Sequence, residues 1–278
     1  MRSFTAFVAG LLAVVCLTVL IPLAWIATHV ASEDGYVDFS SSLIQDQQFR
    51  DGLSTATVEA LVERAGLPSG TLDVVGQRLS AAADDLVETE KFVDVWADVQ
   101  RQSHRAVFTD PRELPAELDA SNRLVIDVAP IARALVDSAN EWLPVSVDVP
   151  GQMLVTVGGS EQRDLIDQIR ATPRESLVLG VLTIGLAAVS VMAARRSRSA
   201  IAWLGLGAVG SALIVRVLTH EVVPEVLDRN SSPDEVGQRM QDLLVDAAVS
   251  SLDRLGLIVM ISGGVIAVAA LVLRRRRA

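Results

Sequence analysis

Gly205, Gly207 and Gly210 match the pattern G-x-G-x-x-G to the letter, the spacing in which backbone amides cradle a pyrophosphate. That chemistry needs a strand before the glycines, a soluble helix after them and an acid about 20 residues further on. Here the glycines sit in the middle of an apolar run, 200–218, just after Arg195-Arg196-Ser197-Arg198. In such a run small residues let helices approach closely, and Gly207 with Ser211 and Ala208 with Ala212 give the small-xxx-small spacing. Helix packing is the expectation, not nucleotide binding.

The three histidines are His29, His104 and His220. His29 and His220 stand where an apolar run meets polar sequence, and Glu221 follows His220. Metal ligation calls for a pair at i, i+4 on one helix face or for C-x-x-C spacing; neither is present, and no metal or other cofactor is implied. His104 reads as structural, its ring body buried and one nitrogen wet. Arg216 lies two residues from the end of the run 200–218. A charge inside a membrane segment is by default a functional hypothesis, and Arg216 with His220 is kept as a candidate on that ground. Arginine this close to an end also snorkels or pairs with an acid such as Glu221 or Glu225, and that structural role is the expectation. There is no G-x-S-x-G, H-E-x-x-H or P-loop. Carboxylate pairs such as Asp84-Asp85 and Asp94 with Asp98 read as solvated helix faces. An enzyme is not the expectation.

The elements behind these residues are four apolar segments, 4–28, 176–194, 200–218 and 255–273. Each has about 19 residues or more, which at about 1.5 Å of rise per residue crosses a hydrocarbon core of about 30 Å. Arginines 195, 196 and 198 lie between the second and third segments, and arginines 274–277 follow the fourth. Basic clusters of this kind belong on the cytoplasmic side, which places both termini on the cytoplasmic face of a cell membrane. No segment carries Asp, Glu, Lys or His in its middle. A proton relay or coupled transporter needs such groups, so transport by this chain alone is not expected. The first segment is longer than a signal-peptide core of about 7–15 residues, and the stretch 27–32 has His29 where a small residue would precede the cut. It reads as an uncleaved anchor, and Pro22 within it is tolerated in membrane helices.

All 34 Asp and Glu fall in 31–175 or 219–254, and the formal net charge is −10. The predicted outer part is therefore strongly acidic, which argues against nucleic acid as a partner. Lys91 is the one lysine against many arginines, a coding bias of GC-rich genomes and not an arginine-specific function. Cys16, the one cysteine, lies inside the first segment, so the outer part is held by its own core without an intrachain disulfide.

Helical spacing predicts one or two helices over 39–65, a second over 71–87 and a third over 90–108. Phe92, Val95, Trp96, Val99, Ser103 and Val107 line one stripe of that third helix. The β-branched run 124–128 predicts a strand. Pro130 opens a helix over 131–142, short strands follow at 145–149 and 153–157, and a helix returns at 161–169. Ser232-Pro233-Asp234-Glu235 is a strong helix start, from which one helix runs to 273 with an apolar face toward the large domain. Asn230-Ser231-Ser232 matches a glycosylation sequon and reads as a cap and turn. The fold class is an α-helical membrane protein with four transmembrane helices and an extracytoplasmic α+β domain between spans 1 and 2. The divisions are an anchor (1–30), the extracytoplasmic domain (31–173) and a three-helix membrane region (174–278) with a helical outer loop at 219–254.

Phe92, Trp96, Arg101 and His104 echo a pattern F-x-x-x-W-x-x-A-N-R-x-A-H, and Leu124–Pro130 echoes V-x-L-D-L-x-P. Leu143-Pro144 follows, then a span, an arginine turn, a Gly-rich span and a final span. In these features the chain resembles a widespread family of uncharacterised actinobacterial integral membrane proteins. Val99 and Gln100 stand where that pattern has Ala and Asn. The resemblance implies a membrane location and an extracytoplasmic α+β domain, and it brings no established activity. Trp96, Arg101 and His104 join Arg216 and His220 as candidate functional or structural residues.

The expected function is a non-enzymatic envelope protein whose outer domain binds a partner or ligand or scaffolds an assembly. Its partners are the lipid bilayer and a membrane or envelope protein. The alternative is an accessory or sensing subunit of a transport system.

Overall fold

The computed structural model describes residues 2–64, 69–108, 125–139, 149, 151, 153–156, 163–228 and 235–275. In chain order they form α1 (Arg2–His29), α2 (Glu33–Ser40), a 3₁₀ turn (Leu43–Gln45), α3 (Gln47–Arg64), α4 (Ser69–Val87), α5 (Glu90–Phe108), β1 (Val125–Asp127), α6 (Ala129–Ala139), β2 (Leu154–Thr156), α7 (Arg163–Ala193), α8 (Ser197–Asp228) and α9 (Glu235–Arg275). Four of these helices are long and apolar enough to cross a membrane, over Ser3–His29, Gln168–Ala193, Ser197–Glu221 and Asp242–Val272. The chain is a multi-pass helical membrane protein.

Contacts divide it into two compact units. One is Met1–Ala31, Gln168–Arg229 and Val245–Ala278; the other is Ser32–Asp167 together with Asn230–Leu244. The second unit is thus discontinuous. The sequence divides the chain with 219–254 as a helical outer loop of the membrane region; among the described residues, 235–244 group with the domain. Their contribution is concrete: Leu243 and Leu244 pack against the domain core, and Arg239 forms two hydrogen bonds to Asp46, at 3.3 and 2.5 Å.

The domain is helical, which corrects the α+β expectation. Its strands, among the described residues, are β1 and β2 alone, three residues each, paired antiparallel with Ile126 opposite Val155. A ribbon that short makes no layer. The β-branched run stops being a strand at Asp127 because that carboxylate serves the next helix: Oδ1 accepts from the amides of Ala129 (3.0 Å) and Met153 (2.9 Å). The expected strand at 145–149 lies outside the described residues except for Val149, which is in no strand. The cap expected at Ser232 also lies outside them. The core is built by α3 (Phe49, Leu53, Leu61), α4 (Leu79, Leu86), α5 (Phe92, Trp96, Val99) and α6 (Ile131, Leu135). These are the apolar stripes that helical period requires.

In the membrane unit the close packing comes from small residues. Thr18 donates to Ser211 (2.9 Å) and Ser211 to the Val14 carbonyl (3.1 Å), joining α1 to α8. Ser190 of α7 donates to the Ala6 carbonyl at 2.8 Å. Helix α7 begins well before the apolar segment at 176, and Pro173 lies inside it. The carbonyl that Pro173 leaves without its usual amide is that of Ile169, and the Thr172 hydroxyl donates to it at 2.6 Å.

The domain should be acid-labile. Hydrogen bonding by Arg239 and the Phe49 amide holds the Asp46 carboxyl below the ordinary carboxylate range, and Arg105 does the same to Glu33. A depressed folded pKa contributes stability above the unfolded value, near pH 4, and loses it as pH falls through the folded value. The domain's melting temperature should therefore hold from pH 7 to about 5 and drop below about 4. Arg239→Gln should make that drop smaller; an unchanged pH profile in the variant would exclude Asp46 as a contributor.

Candidate functional site

Two groups of the candidate residues come together, one in each unit. In the domain, Trp96, Gln100 and His104 are spaced at i, i+4 and so share one line of α5. Both ends of that line meet α2. The Trp96 indole is buried, donates to the Ser40 carbonyl at 3.1 Å and meets the Phe49 ring edge-on at 5.6 Å. His104 is 7% exposed. Its ring lies 5.4 Å from that of Tyr36 and stacks on Phe108 at 4.3 Å. The histidine is more deeply buried than the wet-edged ring the sequence suggested, because α2 covers it.

Gln100 lies between these two contacts, is fully buried, and among the described residues has no hydrogen-bond partner for either end of its amide. The sequence marks Gln100 only as standing where the resembled pattern has Asn, and gives it no role. The signal was a polar residue one turn beyond Trp96, in the middle of an apolar stripe. Ser103 donates nothing to this line; its hydroxyl accepts from the Asp127 amide at 3.1 Å, tying α5 to β1.

The rim of the seam is charged. Arg105 makes a two-pronged pair with Glu33, at 2.7 and 2.8 Å. Arg101 does not join the seam; its guanidinium pairs with Asp98 on its own helix at 3.1 Å. Packing around the Tyr36 ring pushes its hydroxyl up to about 12, so at neutral pH it stays protonated and can donate. Among the described residues the arrangement offers hydrogen-bonding and stacking groups and no nucleophile–base pair.

In the membrane unit Arg216 and His220 sit one turn apart on α8 and both address Asp253 of α9. His220 Nε2 lies 3.0 Å from Asp253 Oδ2, and Arg216 Nη2 lies 3.5 Å from the same oxygen. The partner expected for Arg216 was Glu221 or Glu225. Glu221 is exposed on the same helix, and the Glu225 side chain lies outside the described residues. Asp253 could have been found by depth, since it stands two residues before the run 255–273 as Arg216 stands two residues from the end of its own. Asp253 Oδ1 is buried and has no hydrogen-bond partner among the described residues. The cavity lined by Arg216, Thr219 and Asp253 is about 10 Å³, room for one water and no larger ligand.

The glycines of the G-x-G-x-x-G match lie mid-helix in α8, without the strand and turn that phosphate binding requires. A Cβ at Gly205 would lie 2.5 Å from the Gly263 carbonyl oxygen, and one at Gly263 would lie 2.7 Å from that of Gly205. One at Gly207 would press on Val14 Cγ2, while one at Gly210 would meet nothing within 4 Å. Two of the three glycines serve close approach, and Gly210 does not. Among the described residues no group of three or more His, Cys, Asp or Glu is placed to hold a metal ion.

No family model, no curated protein and no solved structure matches this chain.

Proposed function

We propose that the chain is a non-enzymatic protein of the cell envelope, with both termini cytoplasmic and the helical domain displayed on the outer side. There the domain binds a partner or ligand, or scaffolds an assembly. The resemblance in Phe92, Trp96, Arg101, His104 and Leu124–Pro130 to uncharacterised actinobacterial membrane proteins belongs to the same reading. The observation that carries binding is Gln100. Burying an amide without hydrogen bonds costs about 2–7 kcal/mol, and a partner that displaces α2 from this seam would let both ends of the buried Gln100 amide make those bonds. Gln100→Leu, close in volume and apolar, should keep or raise the domain's melting temperature. Crosslinking in the native membrane followed by pull-down should then lose a species that the unaltered protein captures. An identical captured set from both proteins would sink the binding role of this seam.

The orientation rests on the arginine turns and on the confinement of acids to 31–175 and 219–254, and it has its own test. In a Cys16→Ser background, Ser41→Cys should label with an impermeant thiol reagent on intact cells and Ser197→Cys should not. Labelling at position 197 in sealed cells would reverse the threading.

A second reading, a sensing subunit of a transport system, is favoured by the unpaired Asp253 Oδ1 beside Arg216 and His220. The cavity there restricts what could be sensed to a proton or a water-sized ligand.

A further inference from the structure

Helices α1 and α7 touch at two levels and part at a third. Ser190 bonds the Ala6 carbonyl, and Leu20 lies 3.9 Å from where a Cβ on Gly180 would stand. Beyond Leu20 the pair borders an open groove of about 550 Å³, lined by Leu23 of α1 and by Val178, Leu179 and Leu182 of α7 and headed by Arg174 and Glu175. The volume falls within the roughly 300–1,000 Å³ of small-molecule sites. From residue 171 to residue 182 the groove follows about 16 Å of helix. Each helix carries an internal proline at this level, Pro22 in α1 and Pro173 in α7. Proline removes a backbone hydrogen bond and disfavours straight continuation.

We infer that this groove holds one phospholipid whose headgroup carries both a phosphate and a primary ammonium. The apolar walls take an acyl chain. At the mouth, where α7 leaves its apolar segment, a cation and an anion stand side by side. Arg174 and Glu175 are both exposed, and neither forms an ion pair with another described residue. A guanidinium matches the geometry of a phosphate, and the adjacent carboxylate accepts from an ammonium. An anionic headgroup would satisfy Arg174 and be repelled by Glu175. A trimethylated choline would offer the carboxylate no N–H to accept.

The test is native mass spectrometry of the full chain, delipidated in detergent and offered equal amounts of phosphatidylethanolamine, phosphatidylglycerol and phosphatidylcholine with identical acyl chains. The unaltered protein should retain one phosphatidylethanolamine in preference to the other two. Glu175→Gln should lose that preference by about tenfold, the effect of one charge-assisted hydrogen bond. Arg174→Gln should weaken retention of all three lipids. Leu179→Trp, which fills the groove, should release the lipid at an unchanged melting temperature. Preference for phosphatidylglycerol, equal retention of the three lipids, or a preference that survives Glu175→Gln would each overturn the assignment.

Discussion

Gly205→Ala is expected to disrupt the membrane unit, while Gly210→Ala in the same helix leaves it intact. At position 205 the new methyl would stand 2.5 Å from the Gly263 carbonyl oxygen and 2.9 Å from the Ala267 amide nitrogen. Both neighbours are backbone, so relief requires α8 and α9 to separate. Overpacking typically costs about 1–3 kcal/mol, and a backbone collision belongs at or above the top of that range. Separation also removes contact along the seam, which in lipid has no hydrophobic drive to replace it. Position 210 has open space, and alanine there gains helix propensity. Gly207→Ala should fall between the two, since only the Val14 side chain must yield. Heating each full-length variant in detergent and scoring the monodisperse fraction would rank them 205 lowest, then 207, then 210 level with the unaltered protein. A midpoint at position 205 that matches the unaltered protein would refute the close approach.

The domain's largest single loss should come from Trp96→Ala. The substitution removes a buried indole, its edge contact with Phe49 and its bond to the Ser40 carbonyl. Removing a buried Trp costs about 3–5 kcal/mol, a large share of the about 5–15 kcal/mol that keeps a domain folded. Trp96→Phe keeps most of the packing and should lose only about 1 kcal/mol with the hydrogen bond. Hydrogen exchange on the full chain is the measurement. In Trp96→Ala, amides of α3, α4 and α5 should exchange far faster, and those of α1 and α8 should not. If exchange is unchanged and a binding partner is lost instead, Trp96 acts in recognition and not as a core anchor.

The spans were legible because about 19 or more uninterrupted apolar residues have few alternatives in a folded chain. Helix α5 was legible because its stripe from Phe92 to Ser103 repeats without a break. The fusion of the acidic segment after 233 with the last span was also readable, and α9 runs as one helix. What local pattern could not carry is which surface meets which. Arg216 has acids nearby in sequence at 221 and 225, yet its partner is Asp253 on another helix. The three glycines look equivalent in a pattern, yet two face neighbours and Gly210 does not. The run 124–128 has strand composition, but Asp127 is recruited to start α6, and the pairing ends after three residues. Gln100 was hidden by its setting, because a polar residue inside an apolar stripe is ordinarily read as an exposed edge.

The clasp between Asp46 and Arg239 spans 193 residues. On a ribosome adding about 5–20 residues per second, its second half appears roughly 10–40 s after its first. By the end of that interval three of the four spans have been made, and throughout it the domain lacks both the guanidinium that holds Asp46 and the leucines at 243 and 244. Its core is thus exposed for longest while the chain is still being inserted. A chain cut short between the third span and Arg239 would keep three of its four membrane segments and never close its domain.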